Sequence, residues 1–148
     1  MPFQQHEQTG LVWFTADVLN EIPHGFSTRK GGVSQGIFAS LNLSMNRGDD
    51  PDKVAENYRR FCAAIGADVR RVVCASQVHG DTVRTVTAAD LGIGLDEPEP
   101  WQADGLVTDI PGVTLAVYSA DCLPILLYDP VRRVAGAAHA GWRGTAAG

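Results

Sequence analysis

The stretch Thr114-Leu-Ala-Val-Tyr-Ser-Ala-Asp-Cys-Leu-Pro-Ile-Leu-Leu-Tyr128 decides the fold class of this chain. It contains two short runs, Leu115-Ala-Val117 and Ile125-Leu-Leu127, that are apolar at every position and not only at alternate ones. Continuous apolar runs of this length are typical of strands with both faces covered. The stretch therefore predicts a sheet that packs against another layer.

The rest of the chain carries further strand signals and one clear helix. We expect strands at 11–14, 24–28, 40–43, 72–75, 82–86, 105–108, 114–119, 125–128 and 134–138. Asp50 can cap a helix that begins at Pro51 and ends before Gly66. Its apolar side chains share one face, which includes Cys62. These elements predict a layered α+β or α/β fold.

Composition limits the classes of protein to which the chain can belong. It has 148 residues, 45% of them hydrophobic and 20% charged, which excludes collagen, coiled coil and general disorder. The formal net charge of -5 argues against binding to nucleic acid or an anionic membrane. No apolar run is long enough for a membrane span or a signal peptide. We expect one domain over residues 1–148, monomeric and cytoplasmic.

Three residues at predicted strand ends are candidate metal ligands: His79, Cys122 and His139. The chain has three cysteines, an odd number that argues against a disulfide framework and for a reduced compartment. Thiolate and imidazole are ligands that zinc accepts, and three of them leave a fourth position for water or substrate. Because their spacing is wide, a buried cysteine and two hydrogen-bonded histidines remain the alternative.

Six segments resemble one protein family. They are Phe26-Ser-Thr-Arg-Lys-Gly-Gly-Val-Ser-Gln-Gly36, Ser40-Leu-Asn-Leu43, Gln77-Val-His-Gly80, Ala103-Asp-Gly-Leu-Val-Thr108, Ala120-Asp-Cys-Leu-Pro-Ile125 and His139-Ala-Gly-Trp-Arg-Gly144. In this order they resemble the YfiH or laccase-domain family, which is also called the multicopper polyphenol oxidase-like family. The resemblance implies an α+β fold, a layered α/β/β/α-type sandwich with mixed sheets. Family members continue beyond the last segment, so we expect the chain to be truncated at its C-terminus.

The same resemblance implies a function. Family members look like zinc-dependent purine nucleoside phosphorylases that cleave adenosine, inosine or 5'-methylthioadenosine with phosphate, and they also deaminate adenosine. His79, Cys122 and His139 would then be the ligands of Zn²⁺, with copper as the other candidate metal. Purine nucleosides and phosphate would be the partners.

Four further residues are candidates for catalysis. Arg29 and Arg143 adjoin glycines and can clamp phosphate, or they are ordinary structural arginines. Asn42 and Gln77 can orient ribose hydroxyls or base edges.

Two neighbours of the ligand segments have open roles. Asp121 either supports the ligand Cys122 or forms a turn at a strand end. Trp142 either stacks on a purine or packs in the core.

Three other functions remain as alternatives. A copper-dependent polyphenol oxidase needs several coppers, whereas the chain has four histidines, of which His6 and His24 lie outside every motif. A cysteine hydrolase would use Cys122 as nucleophile and His139 as base, since the fold also resembles that of cysteine-dependent deamidating toxins. An interaction module with a structural zinc would need a fourth ligand, which is missing.

Overall fold

The computed structural model describes residues 2–95 and 97–147 of the chain. Its contacts group the residues into two units, Met1–Val69 and Arg70–Gly148. That residues 1–148 form one domain stays a prediction, and both end residues of that range lie outside the described residues. No helix within the described ranges has the length and apolar character needed to cross a membrane.

An antiparallel sheet with the order β1-β2-β3 opens the first unit. Its strands are β1 (Phe3–Gln8), β2 (Leu11–Ala16) and β3 (Phe26–Ser27). The sequence did not predict β1 because its side chains are nearly all exposed and, apart from Phe3, polar. Thr9 and Gly10, both with positive φ (48° and 82°), join β1 to β2. This is the two-residue hairpin turn that suits the twist of paired strands.

The predicted helix is confirmed as α1 (Pro51–Ile65). Asp50 accepts a hydrogen bond from the backbone N–H of Asp52 at 3.0 Å, and Gly66 ends the helix with φ 74°. Both signals are local, a side-chain cap at one end and a left-handed glycine at the other, which is why they could be recognised in the sequence. As expected, Cys62 is buried on the inner face of α1.

The strand predicted at 40–43 is wrong. Asn57, a fully buried residue of α1, donates hydrogen bonds to the backbone carbonyls of Ser40 (3.3 Å) and Asn42 (2.8 Å). Its own carbonyl oxygen accepts from the N–H of Val33 at 2.8 Å. A helix side chain thus satisfies backbone groups that a neighbouring strand would otherwise bind, and the segment is a loop.

A mixed four-stranded sheet with the order β5-β6-β9-β8 lies in the second unit. Its strands are β5 (Val83–Thr85), β6 (Gly105–Thr108), β8 (Leu123–Asp129) and β9 (Val134–Ala140). A separate parallel pair joins β4 (Val72–Val73) to β7 (Thr114–Leu115), and helix α2 (Trp142–Ala147) follows β9. Only β5 and β6 are parallel in the larger sheet. The predicted α+β class with mixed sheets is confirmed.

Strand β8 departs from the prediction of two covered faces. Leu123 and Leu127 are 63% and 60% exposed. Leu123 and Leu127 lie on the same face of β8, and that face is open among the described residues. Strand β8 is also the edge of the sheet, a position that accommodates Pro124. The buried core of this unit lies elsewhere, around Val73 and Leu106.

The sheet order brings one set of strand ends together. Strand β9 runs antiparallel to both neighbours, pairing Gly105 with Ala138 and Pro124 with His139. The first residues of β6 and β8 therefore meet the last residues of β9 at one end of the sheet. Asp104 and Cys122 precede those strands, so the end of the sheet collects polar side chains.

Candidate metal centre

The three residues predicted as metal ligands lie together in the second unit. The ligand atoms of His79, Cys122 and His139 are all within 4.8 Å of one another. The two imidazole rings meet edge to face, with centroids 4.8 Å apart and an interplanar angle of 84°. His139 is buried, Cys122 is partly buried and His79 is exposed. The cluster therefore has a closed side at His139 and an open side at His79.

His139 is held by a buried carboxylate. Its Nδ1 atom lies 2.8 Å from Oδ1 of Asp104, and the two side chains are 4% and 3% exposed. Burial opposes ionisation of Asp104, but its hydrogen bonds to His139 and to nearby backbone N–H groups outweigh that cost. The pKa of Asp104 consequently lies below its ordinary value. With Nδ1 engaged, Nε2 is the His139 atom that can bind a metal.

The same carboxylate holds the loop that carries His79. Asp104 accepts hydrogen bonds from the backbone N–H groups of Val78 (3.1 Å), His79 (2.9 Å) and Gly80 (2.9 Å). His79 itself has φ 62°, in the left-handed region that residues other than glycine rarely adopt. The loop therefore has an uncommon backbone conformation at the position of a candidate ligand.

Gly141 lies against all three side chains of the cluster. A Cβ atom at this position would be 2.9 Å from Cδ2 of His79, 3.4 Å from Sγ of Cys122 and 3.6 Å from Cε1 of His139. The absence of a side chain thus leaves space where the three donors converge. Two imidazoles and one thiolate around such a space fit a borderline-soft ion such as Zn²⁺, and Cu also accepts these donors.

The side chain of Gln77 is used within the second unit. Its Nε2 donates to the carbonyl of Tyr118 at 2.8 Å, and its Oε1 accepts from the N–H of Tyr118 at 2.7 Å. This double hydrogen bond ties the segment before His79 to the segment before Cys122. The structure thus gives Gln77 a contact with protein backbone, and its predicted role toward ribose stays a prediction.

Arg29 and Asn42 belong to the first unit. Arg29 donates from Nε (3.1 Å) and Nη2 (2.7 Å) to the carbonyl of Ala39. Asn42 donates to Asp49 at 3.0 Å and accepts from the N–H of Ser44 at 3.1 Å. Both side chains therefore bind their own loop, and their predicted catalytic roles stay predictions.

Helix α2 presents two exposed residues directly after Gly141. Trp142 is 75% exposed, so its alternative placement in the core is wrong for the described structure. The Cζ atom of Arg143 lies 5.3 Å from the centre of the Trp142 ring. Gly144 is buried, and a Cβ there would lie 2.2 Å from the carbonyl oxygen of Gly80. The start of α2 is therefore packed against the loop of His79.

Sequence reasoning missed Asp104. It considered Asp121 as the carboxylate beside the ligands, but Asp121 is exposed whereas Asp104 binds His139 directly. A signal was present, since Asp104 lies between Ala103 and Gly105 at the start of a predicted strand.

Comparison with known proteins places the chain in a family. Residues 23–148 match the family model described as multi-copper polyphenol oxidoreductase laccase. A purine nucleoside phosphorylase from Deinococcus radiodurans is 50% identical over 124 residues, which are 84% of this chain and 45% of the relative. Another, YlmD from Geobacillus stearothermophilus, is 44% identical over 126 residues, 84% of this chain and 46% of that protein.

Solved structures agree with this assignment. The crystal structure of YlmD from Geobacillus stearothermophilus matches with a TM-score of 0.88 at 41% identity, covering 97% of this chain and 54% of that one. The Bacillus licheniformis hypothetical protein YfiH matches with a TM-score of 0.85 at 36% identity, covering 98% and 54%. The chain spans about half the length of the relatives it matches. On the family model and these likenesses together, the chain belongs to the laccase-like YfiH family.

Proposed function

We propose that this chain binds Zn²⁺ between His79, Cys122 and His139 and acts as a purine nucleoside phosphorylase. The observation that carries the proposal is the convergence of the three ligand atoms within 4.8 Å. The names of the related proteins from Deinococcus radiodurans and Geobacillus stearothermophilus support the reaction. Adenosine, inosine and 5'-methylthioadenosine are the proposed substrates, with phosphate as the second reactant.

The three ligands would leave one side of the metal open. His139 and its carboxylate partner are buried, so solvent and substrate approach from the side of the exposed His79. When bound, Zn²⁺ supplies a Lewis acid and lowers the pKa of a coordinated water. The same chemistry suits adenosine deamination, which we include as a second activity of the site.

Phosphorolysis requires the chain to bind an anion and a purine. An oxygen of phosphate forms a bond to C1' of the ribose while the C1'–N9 bond breaks. The electron pair and a proton go to the departing base, giving ribose 1-phosphate and free purine. The exposed guanidinium of Arg143 suits phosphate, and the exposed ring of Trp142 suits stacking on the base. Arg29, Asn42 and Gln77 remain proposed contributors.

Substitution of ligands tests this function. We expect Cys122→Ser and His139→Ala to abolish the phosphate-dependent release of adenine or hypoxanthine and to reduce the zinc content. Cys62→Ser is the matched control, because that thiol is buried in α1 of the first unit. Full activity in Cys122→Ser would refute the proposed site.

A cysteine hydrolase is the second candidate, and one specific contact favours it. Cys122 and His139 are neighbours, and Asp104 binds the far side of the imidazole as the third member of a catalytic triad would. Metal binding and nucleophilic attack compete for the same thiolate. If thiol alkylation and added Zn²⁺ both inhibit the enzyme, the hydrolase reading is favoured over the zinc enzyme.

Copper chemistry is the third candidate because of the description of the family. A polyphenol oxidase would consume oxygen in the presence of a phenol and stoichiometric copper. We expect no such oxygen uptake from this protein, because the described cluster offers three ligands for one metal. Sustained copper-dependent uptake would favour oxidation.

A further inference from the structure

Asp104 contacts both histidines of the cluster through different groups. Oδ1 accepts hydrogen bonds from Nδ1 of His139 and from the N–H of His79, while Oδ2 accepts from the N–H groups of Val78 and Gly80. An ionised carboxylate has about four acceptor sites, so these four donors occupy them. The carboxylate is therefore an organised buried acceptor and not an incidental neighbour.

The first consequence concerns the His139 ring. An ionised carboxylate can only accept hydrogen bonds, so the neutral imidazole must carry its proton on Nδ1. Its Nε2 lone pair is then available to a metal. Partners of this kind fix both the tautomer and the ring orientation of metal-binding histidines.

The second consequence concerns the backbone of His79. A left-handed conformation is energetically unfavourable for a residue other than glycine. Three successive N–H groups converge on the Asp104 carboxylate, an arrangement that forms an anion-binding concavity in protein loops. The carboxylate stabilises this turn, and with it the position from which the His79 side chain starts.

We infer that Asp104 is a positioning residue that orients both histidine ligands, the His139 ring through its Nδ1 atom and the His79 side chain through the backbone of its loop. The inference rests on the proposed metal centre. It adds one carboxylate that serves two ligands from different parts of the chain. Asp104 itself remains outside the ligand set, because its oxygens are occupied by these donors.

Metal affinity of the purified protein tests the inference. We expect Asp104→Asn to weaken Zn²⁺ binding about 10- to 100-fold, measured by competition with a chromophoric chelator. Asp90→Asn is the matched control, since Asp90 is also a buried carboxylate in this unit but binds Thr87 and Arg84. Both variants should lose thermal stability, but only Asp104→Asn should lose metal affinity. Equal Zn²⁺ affinity in Asp104→Asn and the unmodified protein would overturn the inference.

A second measurement uses the unmodified protein, so its result does not depend on whether a variant folds. Long-range ¹H–¹⁵N spectra of the metal-free protein report which ring nitrogen of each histidine carries the proton. When the His139 ring is neutral, we expect its single proton on Nδ1, and a neutral ring that is protonated on Nε2 alone would overturn the inference. Failure of the proposed function looks different, since the unmodified protein would then bind Zn²⁺ and show the expected tautomer but release no purine base.

Discussion

Nδ1 of His139 and Oδ1 of Asp104 lie 2.8 Å apart with only 4% and 3% of their side chains exposed. A charged hydrogen bond at this depth has no competition from water, so it constrains the imidazole strongly. The partner histidine, His79, is exposed and is fixed through its backbone. The side chain of His139 is therefore the most constrained of the three. The geometry of the whole cluster then depends on the surroundings of His79 and Cys122.

Gly141→Ala tests the space between the ligands. The new Cβ would lie 2.9 Å from Cδ2 of His79, closer than real Cβ contacts, so the ring must move. We expect Zn²⁺ affinity to fall about tenfold or more, measured by chelator competition. Gly136→Ala, within β9, is the control, since its Cβ would meet no atom nearer than 3.6 Å. Unchanged affinity in Gly141→Ala would mean that the metal does not need this space.

Gln77→Glu separates a structural role of Gln77 from a catalytic one. A carboxylate cannot donate to the carbonyl of Tyr118, so one of the two hydrogen bonds becomes a repulsion. We expect the free energy of unfolding to fall by about 1–3 kcal/mol in urea titrations. Gln102→Glu, at an exposed position, should leave it unchanged. A raised KM for the nucleoside at unaltered stability would instead support the role toward ribose.

Asp90 predicts a dependence of stability on pH. Burial opposes its ionisation, but hydrogen bonds from the backbone and hydroxyl of Thr87 and from Arg84 lower its pKa below the ordinary value. A carboxyl group with a lowered folded pKa stabilises the fold above its unfolded pKa of about 3.9, and this contribution is lost as the pH falls through the folded pKa.

The matching substitution gives this prediction its measurement. Asp90→Asn should lower the free energy of unfolding by about 1 kcal/mol at pH 7, because it damages the capping box of Thr87. The difference from the unmodified protein should shrink as the pH falls below about 4, where Asp90 of the unfolded chain becomes protonated, and should vanish below the lowered folded pKa. A difference that stays constant from pH 7 to pH 3 would show that the charge of Asp90 does not matter.

Features of the fold that depend on neighbouring residues were predicted better than features that depend on contacts between distant parts of the chain. Asp50, Pro51 and Gly66 marked the ends of α1 because capping depends on neighbouring residues only. The loop at 40–43 was mistaken for a strand because its backbone partner is Asn57, far along the chain. Strand β1 was missed because its side chains other than Phe3 are polar and its pairing with β2 follows from the turn.

The residues of the candidate site also fall into two groups, those that sequence motifs predicted and those whose contacts arise only in the folded structure. His79, Cys122 and His139 could be predicted as ligands from motifs that resemble a family, and the structure brings these three side chains together. Asp104 could not be linked to them, since its contacts arise only when β6 pairs with β9. The exposure of Trp142 was equally unavailable from composition, because tryptophan is large and apolar wherever it lies.

Removal and return of the metal test the central claim most directly. The purified protein should contain about one zinc per chain and release purine base from a nucleoside only when phosphate is present. Stripping the metal with a chelator should abolish this release, and adding Zn²⁺ should restore it. Undiminished phosphorolysis by the metal-free protein would contradict the account.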